Sequence, residues 1–293
     1  MIQLMKFLST TTSRSSQTIT QQVRPTPKMS LKMVISRTLC ASLILLVLGC
    51  RVDENVQQWQ LPAEIDELSG LAIGPDDTVY LHDDEVAAVY RLSLDSGDVS
   101  TIFRVEQPVI EGDFEGIAQT STHIFLITSQ GELFRVPRET NMSEAIVSAD
   151  VFDTGLSGIC EVEGLHALEN HLYIACKKAY LKADKGTLLL IEYSLASYSI
   201  TQELRLDLRD VSLKKFNTSA IWLDTERIVL LSARQRKIIE LTWSGELLRQ
   251  FKLDKSRHPQ PEGLVIANGR FIIADEGGGN GGRVAIYHGW PTH

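Results

Sequence analysis

The chain has 293 residues, 43% of them hydrophobic, with 20 Gly and 9 Pro, which suits a globular core and excludes a low-complexity chain. Its net charge is −8, from 29 Lys and Arg against 37 Asp and Glu, and no basic stripe runs through it. A surface of that sign repels phosphate backbones, so nucleic acid is excluded as a partner.

The first 49 residues differ from the rest. They carry six bases and no acid, and they run into LCASLILLVLGC. The apolar run 39–48 is too short to span a bilayer, which takes about twenty residues. Bases, a short apolar core and a small residue before a cleavage point predict a secretory signal over 1–49. Val47-Leu48-Gly49-Cys50 resembles the bacterial lipobox, in which the cysteine becomes the lipidated first residue. The alternative is a plain amphipathic anchor, and translation could equally begin at Met29 or Met33. The reading predicts a protein of the bacterial cell envelope, lipid-anchored through Cys50 to the outer membrane and facing the periplasm. Residues 50–57 would be a linker and 58–290 the folded domain. Taking the six leader charges from −8 leaves −14, a surface able to concentrate cations in a cleft. Of the remaining cysteines Cys40 leaves with the signal. Cys160 and Cys176 are either a disulfide, which an oxidising compartment favours, or two buried thiols.

Five units of one pattern follow. Each opens on a small or acidic residue and a small partner: LSGLA, FEGIA, VEGLH, TSAIW and PEGLV. A polar turn comes next (GPDDT, TSTH, LENH, DTER, ANGR), then a β-rich run (VYLH, IFLIT, LYIAC, IVLLS, FIIAD) and a third alternating strand. The openings fall at Ser69, Glu115, Glu163, Ser219 and Glu262, with spacings of 46, 48, 56 and 43 residues. Four short strands per repeat of that length is the period of a propeller blade. The prediction is an all-β, five-bladed β-propeller, with a six-bladed ring as the alternative. The last unit has three strands, and VQQWQLP before the first can supply the fourth, closing the ring. A sandwich would explain the strand count but not the recurring Glu-Gly.

In a blade the first strand lies innermost, and antiparallel pairing sets the end of the second beside its start. The openings therefore gather at one mouth of the central channel. Glu115, Glu163 and Glu262 would converge there with Ser69 and Ser219. Asp83, Asp84, Lys177, Arg234, Asp275 and Glu276 would be their neighbours at the ends of second strands. Converging carboxylates repel unless a positive charge joins them. Calcium, which takes six to eight oxygen ligands in loose geometry, is one answer. Salt bridges to Lys177 and Arg234 are the other. GGGNGG lacks the Lys and Ser or Thr of a phosphate loop, no G-x-S-x-G elbow is present, and the histidines show no zinc spacing. His82 and His166 read as structural.

The units LSGLA, FEGIA and VEGLH, with LLSARQRKIIELTWSGELL and QPEGLVIANGRFIIADEGG, resemble the SdiA-regulated (YjiK-like) bacterial propeller family over about residues 58–287. The resemblance implies a five-bladed, NHL-like fold, a calcium site in the propeller, and secretion or envelope anchoring. Matched by motif, Glu115, Glu163 and Glu262 are its Glu-Gly acids. The lysines of CKKAY and the Ala220 and Trp222 of NTSAIW depart from the pattern, the latter in the fourth blade. Three functions are compatible: a calcium-binding ligand or sensing module, a calcium-dependent hydrolase of lactonase or esterase type, and a metal-free protein-interaction scaffold. No Asn occupies an equivalent strand start, which favours binding over a lactonase-type site. The expected partner is an unidentified small molecule or envelope protein, and the expected state a monomer.

Overall fold

The computed structural model describes residues 56–105, 110–138, 145–182, 186–208 and 216–291. The leader, Cys50 and residues 51–55 lie outside the described residues.

The second strand of every unit is a continuous apolar run, too long in apolar character to face water on either side. Each is stable only between two neighbours in its sheet and two further sheets, and the fold supplies both. The protein is an all-β, five-bladed β-propeller. Blade one contains β2 (Leu68–Ile73), β3 (Thr78–Asp83), β4 (Ala88–Ser93) and β5 (Val99–Val105). Blade two contains β6 (Phe114–Gln119), β7 (His123–Thr128), β8 (Glu132–Pro137) and β10 (Asp150–Asp153). Blade three is β11 (Cys160–Leu168), β12 (His171–Ala179), β13 (Thr187–Ser194) and β14 (Ser199–Asp207). Blade four is β15 (Ala220–Leu223), β16 (Arg227–Ser232), β17 (Lys237–Thr242) and β18 (Leu247–Lys252). Blade five is β19 (Pro261–Ala267), β20 (Arg270–Asp275) and β21 (Arg283–His288), completed on the outside by β1 (Val56–Gln60). Five apolar clusters hold the blades together, one at each interface between sheets.

The ring closes through β1, which pairs antiparallel with β21 from Val56 opposite Tyr287 to Gln60 opposite Arg283. Val56 and Gln57, expected in the linker, are thus the first residues of a blade. Trp59 Nε1 and Gln57 Nε2 donate to the Leu94 carbonyl at 3.0 and 3.1 Å, clasping blade five to blade one. A second cross-connection has no signal in the repeat pattern. The short strand β9 (Ala145–Val147) leaves blade two and pairs in parallel with β5 on the outer edge of blade one.

The innermost strands β2, β6, β11, β15 and β19 pack each against the next, and β19 against β2. A five-membered ring is tight. The void left on the axis, between Glu115, Glu163 and the glycines that follow them, is only about 10 Å³. The expected central channel is a packed core, and what remains of it is a depression on one face. The glycines make that approach possible. A Cβ on Gly116 would lie 2.7 Å from Leu165 Cβ and 2.9 Å from the Leu165 backbone nitrogen in the next blade.

Candidate functional site

Four of the five openings are β-bulges. In β6 Phe114 pairs with Thr128 and Gly116 with Ile127, which leaves Glu115 as the extra residue. Ser69, Glu163 and Glu262 stand unpaired in the same way in β2, β11 and β19. A bulge bends the strand and re-aims the inserted side chain, and here it turns each one toward the mouth. The fourth blade differs: β15 begins at Ala220 without a bulge, and Ser219 donates its backbone N–H to Leu231 at 2.8 Å. Blade three carries a second bulge, on the opposite strand. Glu161 pairs with Lys178 and Val162 with Cys176, so Lys177 is also an inserted residue.

The mouth brings the three glutamates together. Lys177 Nζ lies 2.8 Å from Glu163 Oε1 and 3.8 Å from Glu161 Oε1. The Ser69 hydroxyl donates to Glu115 Oε2 at 3.3 Å, and Ser219 bonds Glu262. Glu163 is only 3% exposed, and its Oε2 is buried without a partner. Burial pushes Glu115 up to about 8; Lys177 and Ser69 pull it down, and Asp113 and Glu262 add to the rise. Glu163 is pushed up by burial first and by Glu115 next, against the ammonium of Lys177. Burial also raises Glu262, opposed by Ser219 and Lys177. Burial disfavours the charge on Lys177, but Glu163 and Glu115 more than offset it and hold the lysine protonated.

A wider acidic rim surrounds the ring. Asp84 is pushed up to about 7 by burial, then by Asp83, Glu67, Glu85 and Asp113, and its Oδ1 has no partner. Glu276 is pushed up to about 7 by burial, then by Glu262, Glu67 and Asp84, and it accepts a bond from Gln260. Asp83 is buried and accepts from the Glu85 N–H at 3.0 Å. Sequence reasoning missed Glu67 and Asp113 because they precede the recurring motif. The opposite side is basic. A cavity of about 400 Å³ is lined by Glu163, Glu262, Lys177, Gln260, Arg234 and Arg236 among others, and Arg236 is a third residue that the repeat did not mark.

Two expected neighbours lie elsewhere or act otherwise. Asp275 neighbours Glu262, whose pKa its charge helps to raise, but it is 1% exposed and lies beneath the mouth. It pairs with His258 Nδ1 at 2.6 Å and accepts from the Gln260 N–H at 3.2 Å, while His258 Nε2 meets the Tyr287 hydroxyl at 2.6 Å. This buried chain props the 258–260 loop beneath Glu262. Arg234 lines the cavity but makes no bridge to the ring. His82 is fully buried, its pKa lowered by burial to about 4, and its Nε2 lacks a partner. His166 is likewise lowered to about 4 by burial and packs edge-on to Trp222, away from the mouth. Cys160 and Cys176 form a disulfide, both buried beside the bulge that carries Lys177.

The carboxylates and serine hydroxyls at the mouth are hard oxygen donors, the type that calcium takes, and Glu163 Oε2 is unsatisfied. Among the described residues no three carboxylates, histidines or cysteines are gathered into a metal-binding cluster, and Lys177 already serves Glu163.

The fold is shared with enzymes. A glutaminyl cyclase of Myxococcus xanthus is similar with a TM-score of 0.56 at 13% identity, covering 78% of this chain and 93% of that one. A luciferin-regenerating enzyme gives 0.52 at 10% identity, over 80% of this chain and 95% of the other. The PQQ-bound aldose sugar dehydrogenase of Streptomyces coelicolor gives 0.51 at 9%, over 79% and 98%. At such identities the likeness is one of fold. No family model matches the sequence, and no curated protein matches it.

Proposed function

We propose that this protein is an envelope-anchored propeller whose charged mouth is a ligand-binding or sensing site, with calcium as its resident cation. The observation that carries the reading is the shortage of positive charge at the ring: Glu163 is buried, Glu115 and Glu262 are half-buried beside it, Lys177 is the ammonium among them, and Glu163 Oε2 has no partner. Glu115, Glu163 and Glu262 would hold the cation, with the Ser69 and Ser219 hydroxyls beside them. Bound calcium supplies the positive charge the ring lacks. A cation that binds only the folded ring raises stability, by about 2.7 kcal/mol at a hundred times its dissociation constant. Calcium should therefore raise the melting temperature of chelated protein, and Glu115→Gln should blunt that rise without destabilising the chelated protein. No calcium-induced shift in the wild type would sink the metal.

The rival reading is a metal-free ring closed by Lys177, and the 2.8 Å pair with Glu163 favours it. It predicts that Glu163→Gln costs about 1–3 kcal/mol in the presence of chelator and that calcium is without effect. The envelope location rests on the basic leader and the lipobox-like VLGC. Membrane fractionation should depend on Cys50, and equal membrane binding by Cys50→Ser would refute the anchor.

A further inference from the structure

The mouth cavity holds two unmet bonding demands of opposite kind. Glu163 Oε2 is a buried acceptor without a donor, and Arg236 Nε is a buried donor without an acceptor; both residues line the same space of about 400 Å³. Buried polar atoms are almost always paired in native proteins, and orphans mark places where something else completes the bond. No carboxylate among the described residues bridges to Arg236 or to the exposed Arg234 beside it, in a protein whose acids outnumber its bases. Arg236 is also held in place. It sits in the left-handed region at φ 47°, its N–H donates to Ala233 at 3.0 Å and its carbonyl accepts from Leu253 at 2.7 Å. Non-glycine residues keep that conformation only when their surroundings impose it, and such positions gather at binding sites.

A guanidinium is matched by a carboxylate, which it engages through two parallel hydrogen bonds. The unpaired oxygen of Glu163, with Glu262 alongside, is matched by an ammonium. A dicarboxylate would set its second acid against Glu163 and Glu262, and a simple amine would leave both arginines unmatched. The volume falls in the range of small-molecule sites. We propose that the mouth cavity binds a small zwitterion of the amino-acid class, with its carboxylate on Arg236 and Arg234 and its ammonium on Glu163 and Glu262. The inference rests on the mouth being the ligand site and not on calcium. Both cations would draw on Glu163 and Glu262, so calcium and the amino acid would compete.

The test is a thermal-shift panel on the full-length protein in detergent and chelator, with the standard amino acids beside succinate, acetate and propylamine, followed by calorimetry on the strongest ligand. At least one amino acid should raise the melting temperature where the three controls do not. Arg236→Gln should weaken its binding about tenfold or more, the loss expected for one charge-assisted hydrogen bond. Should Arg236→Gln fail to fold, Arg234→Gln, at an exposed position, should weaken binding in the same direction. A panel without any amino-acid response overturns the proposal, as does acetate or succinate binding as well as the amino acid. The calcium response of the same samples separates the two readings: amino-acid binding without a calcium shift removes the metal alone, and a calcium shift without amino-acid binding removes the zwitterion alone.

Discussion

Lys177 sets the electrostatic state of the mouth. It bridges Glu163 at 2.8 Å, whereas among the described residues Glu115 is bonded by the Ser69 hydroxyl and meets no cation in a salt bridge, so nothing at contact distance holds its carboxyl ionised. Burial has already raised that group to about 8 from an ordinary 4.5. Between those values folded protein holds a proton that unfolded protein has released, so ν for the native state exceeds that for the unfolded state and stability falls as pH rises. We expect chelated protein to be most stable below about pH 4.5 as far as this group is concerned, losing that contribution progressively up to about pH 8. Glu115→Gln removes the titration, and melting curves across that window should then flatten; an unchanged slope would place the burial cost elsewhere. The three acids were legible because one dipeptide recurs at blade period. Glu67 and Asp113 were not, because each lies just before a recurring unit, and Arg236 was not, because it sits in a turn between the second and third strands whose sequence the units do not share. The inward turn of Asp275 was not legible for the converse reason. It ends a second strand as the others do, but His258, 17 residues earlier in the chain, turns it inward, and a contact between separate segments leaves no periodic trace.

At the scale of the element the recurring opening is a bulge followed by a close packing point. The acid needs the bulge to reach the mouth, and the next residue needs to be glycine because the adjacent inner strand presses on it. Gly116→Ala would force its Cβ to 2.7 Å from Leu165 Cβ and 2.9 Å from a backbone atom that cannot rotate away. Overpacking of that kind costs about 1–3 kcal/mol. Gly158→Ala meets nothing within 4 Å and should be near neutral. Denaturant unfolding of the two variants checks the pair, and equal midpoints would show that the inner strands can spread. The strands themselves were legible from alternating and continuous apolar runs. The bulges were foreshadowed only by glycine inside a strand, and the parallel β9 not at all, since its three residues carry no pattern of their own.

At the scale of the whole molecule the count of five and the closing role of the segment before the first unit were both readable, because a three-stranded last unit leaves an edge that something must cover. Without Val56–Gln60, β21 would present that edge, and Leu94 would lose the side-chain bonds from Gln57 and Trp59. A chain beginning at Leu61 should melt well below the full protein and aggregate on heating; an unchanged melting temperature would mean that the clasp is dispensable. The direction of β1 carries a further meaning. Gln60 stands opposite Arg283, which pairs with Asp275 at the mouth end of β20, whereas Val56 stands opposite Tyr287 at the other end. Val56, the first described residue, therefore lies at the end of blade five opposite the mouth. A bulky group attached at Val56 would thus sit at the end of blade five away from Glu262, leaving the mouth open to solutes.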